Sequence, residues 1–115
     1  MGLPISIAPA PGHKRLIVDG VTLVDTSQAL ILSEQGRGPV FYVPRGDVAM
    51  PYLVAHDRRT HCPWKGEAAH FSAELPQRRV EIAAWSYEDP LPEVAAIAGH
   101  LAFYLDNLGA EFQDA

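Results

Sequence analysis

The sequence predicts a mainly β, or β-rich α+β, fold: a single small, curved antiparallel sheet domain with one short helix near residues 91–98. Short apolar runs rich in β-branched and aromatic residues recur along the chain, and turn residues separate them. About six or seven such runs can be counted, each of strand length. Because no long helical segments alternate with these runs, an antiparallel sheet is favoured over a βαβ array.

The clearest local element is a hairpin centred on Asp19-Gly20. Strand-forming residues flank this dipeptide on both sides, and Asp-Gly favours the primed turn that closes two-residue hairpins. Further strands are predicted at 29–34, 39–44, 67–73, 80–87 and 101–104, with a loop at 56–66 and one helical turn at 47–50 capped by Asp47. The helix at 91–98 is predicted because prolines stand at its start and Gly99 follows its end.

The length of 115 residues predicts one domain. We expect a flexible, proline-rich lead-in at 1–14, the folded domain at 15–108 and a polar tail at 109–115. A net charge of −5 disfavours a nucleic-acid partner. No apolar run reaches the roughly 18 residues of a membrane span. The single cysteine excludes an internal disulfide, so a soluble cytoplasmic protein is expected.

Residues 60–70 combine the only cysteine, a lysine and two histidines in one short stretch. Cys62 and Lys65 are the candidate catalytic residues, since a thiol becomes nucleophilic when neighbouring cations lower its pKa. Lys65 stands between Trp64 and Gly66, which favours binding of an anion. The alternatives are a buried Cys62 that anchors the loop as a small apolar side chain, and a Lys65 that is merely solvated.

Seven more residues are candidates for ligand binding: Glu34, Arg45, Asp47, His61, Trp85, Tyr87 and Tyr104. Glu34 and Asp47 stand at predicted strand ends, where two carboxylates can divide acid and base roles. The alternatives are a solvated strand end for Glu34 and a helix cap for Asp47, which is the favoured role of Asp47, or an ion pair of either residue with Arg45. The aromatic residues either pack the sheet or line a pocket. No cofactor and no metal site is predicted. His61, Cys62 and His70 offer only a weak zinc set, without paired Cys-x-x-Cys ligands.

Several fragments occur together in a recognisable order: Ser33-Glu34, Tyr42-Val43-Pro44-Arg45 with Asp47-Val48, Thr60-His61-Cys62-Pro63-Trp64-Lys65-Gly66, Trp85-Ser86-Tyr87 with Pro90, and Ala102-Phe103-Tyr104. From about residue 15 to about residue 105, the chain resembles the domain of unknown function 427 family, which also carries a nucleotidyltransferase-like label. The resemblance implies a β-tent fold similar to that of methionine sulfoxide reductase B and Mss4-like zinc proteins. It implies no particular reaction, and the chain lacks the Gly-Ser motif with paired aspartates that a nucleotidyltransferase uses to hold magnesium.

The sequence therefore predicts a pocket for a small polar or anionic metabolite around the Thr60–Gly66 loop, with Cys62- or Lys65-assisted chemistry as an extension. The alternative is a non-catalytic binding or scaffold module, including a homodimer paired through an exposed strand. A third hypothesis is thiol redox activity resembling that of methionine sulfoxide reductase B. That chemistry normally needs a resolving thiol, which a chain with one cysteine must obtain from outside.

Overall fold

A computed structural model describes residues 5–115, in which ten strands form three antiparallel sheets. The first sheet has the order β1 (Ile5–Pro9), β4 (Leu30–Glu34), β5 (Val40–Tyr42). The second has the order β10 (Phe112–Asp114), β2 (Lys14–Val18), β3 (Val21–Thr26), and the third β6 (Leu53–Cys62), β7 (Gly66–Glu74), β8 (Arg79–Ser86), β9 (Ala102–Phe103). The mainly β fold class is confirmed, and the strands are divided among three sheets.

The hairpin of β2 and β3 forms around Asp19-Gly20 as predicted. Asp19 has φ 51° and Gly20 has φ 81°, so both central residues adopt the left-handed conformation that a primed turn requires. A register shift between Leu16 and Ile17 adds a bulge to the pairing. Local turn chemistry was therefore sufficient to predict this element.

The predicted loop at 56–66 is wrong, because β6 continues to Cys62 and pairs with β7 across a tight turn. The turn is closed by a hydrogen bond from the backbone N–H of Lys65 to the carbonyl of Cys62 at 3.2 Å. Gly66 then takes φ 110°, which a residue with a side chain rarely adopts. A register shift between His56 and Arg59 bulges β6, the edge strand of its sheet.

The helical elements are shorter than predicted. Pro92–Ile97 forms a 3₁₀ helix instead of the α-helix expected at 91–98, and Val94 departs from helical geometry within it. Asp47 ends a 3₁₀ turn over Arg45–Asp47 and caps no helix. A second turn covers Met50–Tyr52, and a one-turn helix α1 covers Leu105–Leu108.

Both ends of the described chain take part in the sheets. β1 lies in the segment predicted as a flexible lead-in and pairs with β4 along its whole length. β10 lies in the predicted polar tail and pairs with β2. Residues 1–4 of the lead-in fall outside the described part of the chain.

Two hydrophobic clusters fill the interior. The larger is built mainly on the second sheet and one end of the third. The smaller lies between the first and third sheets and contains Leu32, Tyr42, Ala68, Tyr87, Val94, Ile97 and Ala102. A backbone bridge between Val43 and Leu101 joins these two sheets through a reciprocal pair of 2.8 Å hydrogen bonds. Within residues 5–115, none of the helices has the length and apolarity that crossing a bilayer demands.

Candidate functional site

A polar cavity of about 250 Å³ lies between the first and third sheets, above the smaller hydrophobic cluster. Its wall includes Glu34 and Tyr42 from the first sheet, with Lys65, Trp85, Tyr87 and Tyr104 from the third sheet and its connections. A second cavity of about 340 Å³ adjoins it at the turn between β6 and β7. The two cavities share five residues: Glu34, Arg37, Thr60, Lys65 and Tyr87.

A buried ion pair stands where the two cavities meet. The Lys65 Nζ donates a hydrogen bond to Glu34 Oε1 at 2.8 Å, and the two side chains are only 9% and 14% exposed. The turn brings Lys65 inward, and the carbonyl of Lys65 accepts a 3.0 Å hydrogen bond from the backbone N–H of Leu91. The ammonium also lies 5.8 Å from the ring centroid of Tyr87. The pair is thus fixed by its own hydrogen bond, by the backbone and by an aromatic face.

Two buried tyrosines form the apolar side of the same wall. Burial raises the pKa of Tyr42 to about 12, while a hydrogen bond from Trp85 Nε1 to the Tyr42 hydroxyl oxygen at 3.2 Å acts in the opposite direction. Burial also raises the pKa of Tyr87, and nearby acidic groups add to that rise. Both phenols therefore keep their protons at neutral pH and face the cavity as potential donors.

Tyr104 connects the cavity to a buried histidine. His70, on β7, is 1% exposed, and its Nε2 lies 3.0 Å from the Tyr104 hydroxyl. The two rings stack with centroids 6.0 Å apart. Burial lowers the pKa of His70. His70 Nδ1 is buried and has no hydrogen-bond partner within residues 5–115. His70 lines neither cavity, so Tyr104 connects it to the polar cavity.

Cys62 lines the second cavity. Its side chain is half-buried and packs against the smaller hydrophobic cluster. His61, Trp64 and Lys65 line the same cavity, and Trp64 is 42% exposed. Cys62 therefore contacts the core, as a side chain that anchors the turn would, and also borders a cavity lined by the Lys65 ammonium, as a candidate nucleophile would.

Arg45 and Asp47, which the sequence predicts as ligand-binding residues, do not line either cavity. Arg45 pairs with Glu88 at 3.1 Å and donates a 2.9 Å hydrogen bond to the carbonyl of Gly99. The Asp47 carboxylate accepts a 2.7 Å hydrogen bond from Thr26 Oγ1. Both residues therefore stabilise connections between elements, away from the cavity wall.

Tyr42 and Arg37 are among the cavity residues that were not predicted from the sequence. Tyr42 lies in a predicted strand, and the sequence does not indicate which of the two faces of that strand points inward. Arg37 lies in a glycine-rich turn, where no neighbouring residue indicates which way its side chain points. Within the described residues, no three His, Cys, Asp or Glu side chains lie close enough to hold a metal ion. His61 and Cys62 are at the hairpin tip, whereas His70 lies deeper in the sheet opposite His56.

The fold and the cavity define a small β-rich domain with a polar, tyrosine-lined pocket between two sheets. A family model described as a domain of unknown function, DUF427, matches residues 6–114. The chain therefore belongs to this family, as its motifs predicted, and the match extends beyond the range from about residue 15 to about residue 105. The family's nucleotidyltransferase label is only a legacy name. No curated protein matches the chain.

Proposed function

We propose that this protein binds a small, anionic, acceptor-rich molecule in the paired cavities around Lys65 and Glu34. The observation that carries the proposal is the buried Lys65–Glu34 ion pair at the junction of two cavities. A buried ion pair is costly to desolvate and adds little stability compared with an apolar pair. Its place in a cavity wall is therefore better explained by recognition of a polar ligand.

Unused hydrogen-bond donors favour an acceptor-rich ligand. The Lys65 ammonium carries three N–H groups and donates one of them to Glu34. The Tyr87 hydroxyl has no hydrogen-bond partner within residues 5–115, and the Tyr42 hydroxyl accepts from Trp85 while keeping its own proton. Carboxylate or phosphate oxygens would satisfy these donors together.

The local charge favours an anion. Arg37 and Lys65 border both cavities, and among residues 5–115 Glu34 is the one carboxylate that borders both. The pocket therefore has an excess of positive charge, although the whole chain has a net charge of −5. Such a local excess attracts anions to the pocket and away from the acidic surface.

Cys62 extends the proposal to thiol chemistry on the bound ligand. The cysteine and Lys65 border the same cavity, so a ligand held by the ammonium would lie near the sulfur. A free thiol suits a reducing compartment such as the cytoplasm. If Cys62 is a nucleophile, iodoacetamide should alkylate it, and a bound anion should slow the reaction.

The binding proposal is tested by calorimetric titration with acetate, phosphate and citrate. Lys65→Met should reduce the affinity of the tightest anion by at least about tenfold, because a buried charge-assisted hydrogen bond is lost. Lys14→Met is the matched control, since Lys14 is the other lysine of the chain and pairs with Asp114 outside both cavities. Glu34→Gln should strengthen anion binding, because it removes the competing carboxylate.

Absence of binding by all three anions to the wild type, or equal affinities in Lys65→Met and Lys14→Met, would reject the proposal. Circular dichroism on each variant confirms that a lost affinity does not reflect a lost fold. The Glu34→Gln variant separates loss of the ammonium from loss of the ion pair as the cause of weaker binding, since it retains the ammonium and changes only the charge beside it.

A further inference from the structure

An aromatic groove of about 290 Å³ adjoins the polar cavity. Its apolar lining consists chiefly of Phe41, Trp85, Phe103, Leu105 and Phe112, and one carboxylate, Glu111, stands at its border. The lining of the groove is therefore mainly apolar, whereas the cavity presents charged and hydroxyl groups.

The groove and the cavity meet at the start of β5. Val40 and Trp85 line both of them, and the preceding residues Gly38 and Pro39 line the cavity and the groove respectively. Side chains alternate along a strand, so β5 presents Tyr42 to the cavity and Phe41 to the groove. A molecule that lies across Val40 and Trp85 would contact both regions.

The aromatic walls are held in place before any ligand arrives. Phe112 packs edge-to-face against Phe41 and Phe103, with ring centroids 5.1 Å and 6.3 Å apart. The Trp85 ring is fixed by its hydrogen bond to Tyr42 and by packing against Tyr104, with ring centroids 4.5 Å apart. Preorganised rings lose little conformational entropy when a ligand binds, which favours recognition of an apolar group.

The volumes allow one ligand to use both regions. Pockets for small molecules usually enclose about 300–1,000 Å³. The polar cavity at about 250 Å³ and the groove at about 290 Å³ together lie within that range.

We propose that the ligand is an amphipathic carboxylate, whose carboxylate group binds at Lys65 and whose acyl chain or aryl ring lies across Trp85 in the aromatic groove. This inference rests on the proposed function, because it places the anionic end of the molecule in the cavity already assigned to anions. It adds a chemical class that the charged groups alone do not define.

The test is calorimetric titration of the full chain with acetate, butyrate, hexanoate, octanoate and 3-phenylpropionate. Affinity should rise by about two- to fourfold for each added methylene that enters the groove, because buried methylenes are removed from water. Phe41→Ala should flatten this dependence of affinity on chain length. Phe71→Ala is the matched control, since Phe71 is also half-buried and lies outside the groove.

Each outcome bears on a different step. Binding of acetate without a gain for longer chains overturns the inference and leaves the proposed function intact. A gain in affinity with chain length that persists in Phe41→Ala also overturns the inference, because the apolar part then binds elsewhere. A gain that is equal in Lys65→Met overturns it as well, because the apolar part then binds independently of the ammonium. If none of these five monocarboxylates binds, the inference fails, while phosphate and citrate still test the proposed function. If Phe41→Ala does not fold, the absence of a gain with chain length in the wild type still overturns the inference.

Discussion

Removal of one partner of the Lys65–Glu34 pair should destabilise the protein far more than removal of both. Lys65→Met leaves a carboxylate that is 14% exposed without its cation, and Glu34→Leu leaves an ammonium that is 9% exposed without its anion. Breaking a buried pair costs about 3–5 kcal/mol. Because the pair borders a cavity that water can enter, we expect the lower end, about 3 kcal/mol for each single variant. At roughly 4 °C per kcal/mol, this corresponds to a decrease in Tm of about 10 °C.

The double variant Lys65→Met/Glu34→Leu should lie within about 1 kcal/mol of the wild type, since no buried charge remains. Urea denaturation monitored by circular dichroism measures the free energy of unfolding of all four proteins, with m-values compared to confirm two-state behaviour. Lys14→Met is the control, because its partner Asp114 is 85% exposed and such pairs contribute under about 1 kcal/mol. The reasoning is refuted if Lys65→Met costs no more than Lys14→Met, or if the single losses simply add.

Two further predictions concern stability. Gly66→Ala should lower the free energy of unfolding by on the order of 1–3 kcal/mol, because Gly66 has φ 110° and a side chain there is strained. Gly38→Ala is the control, since no atom lies within 4 Å of the added carbon. Equal urea midpoints for the two variants would contradict the strain argument. Burial lowers the pKa of His70 below 6.5, so folding favours its neutral form. Stability should fall as pH drops from about 6.5 and stop falling at the lowered pKa. His70→Gln should remove that part of the pH dependence while His100→Gln retains it, and superimposable curves of unfolding free energy against pH would disprove it.

Local signals predicted the local elements. The Asp19-Gly20 hairpin was found because its turn chemistry is contained in two adjacent residues. β6 was missed because Asp57, Arg58 and Arg59 interrupt the apolar alternation, and an edge strand tolerates such charges where a central strand does not. β10 was missed because its pairing with β2 joins residues about a hundred positions apart.

For the candidate site too, residue types could be predicted from the sequence, whereas contacts between distant residues could not. Glu34 and Lys65 were both identified from residue type and position, but their mutual ion pair depends on the packing of two sheets. Arg45 was assigned to the pocket by its motif, whereas its actual partner Glu88 lies 43 residues away. His70 was considered only as a metal ligand, because nothing near it in sequence indicates its contact with Tyr104.

The reciprocal bridge between Val43 and Leu101 has a mechanical consequence for the pocket. The walls of the polar cavity belong to sheets with separate hydrogen-bond ladders, so contacts between the sheets set the width of the gap. The contacts that cross it include the two 2.8 Å bonds of the bridge, the Lys65–Glu34 ion pair and the hydrogen bond from Trp85 to Tyr42. Loss of any one of them should change the shape of the pocket while each sheet keeps its own ladder.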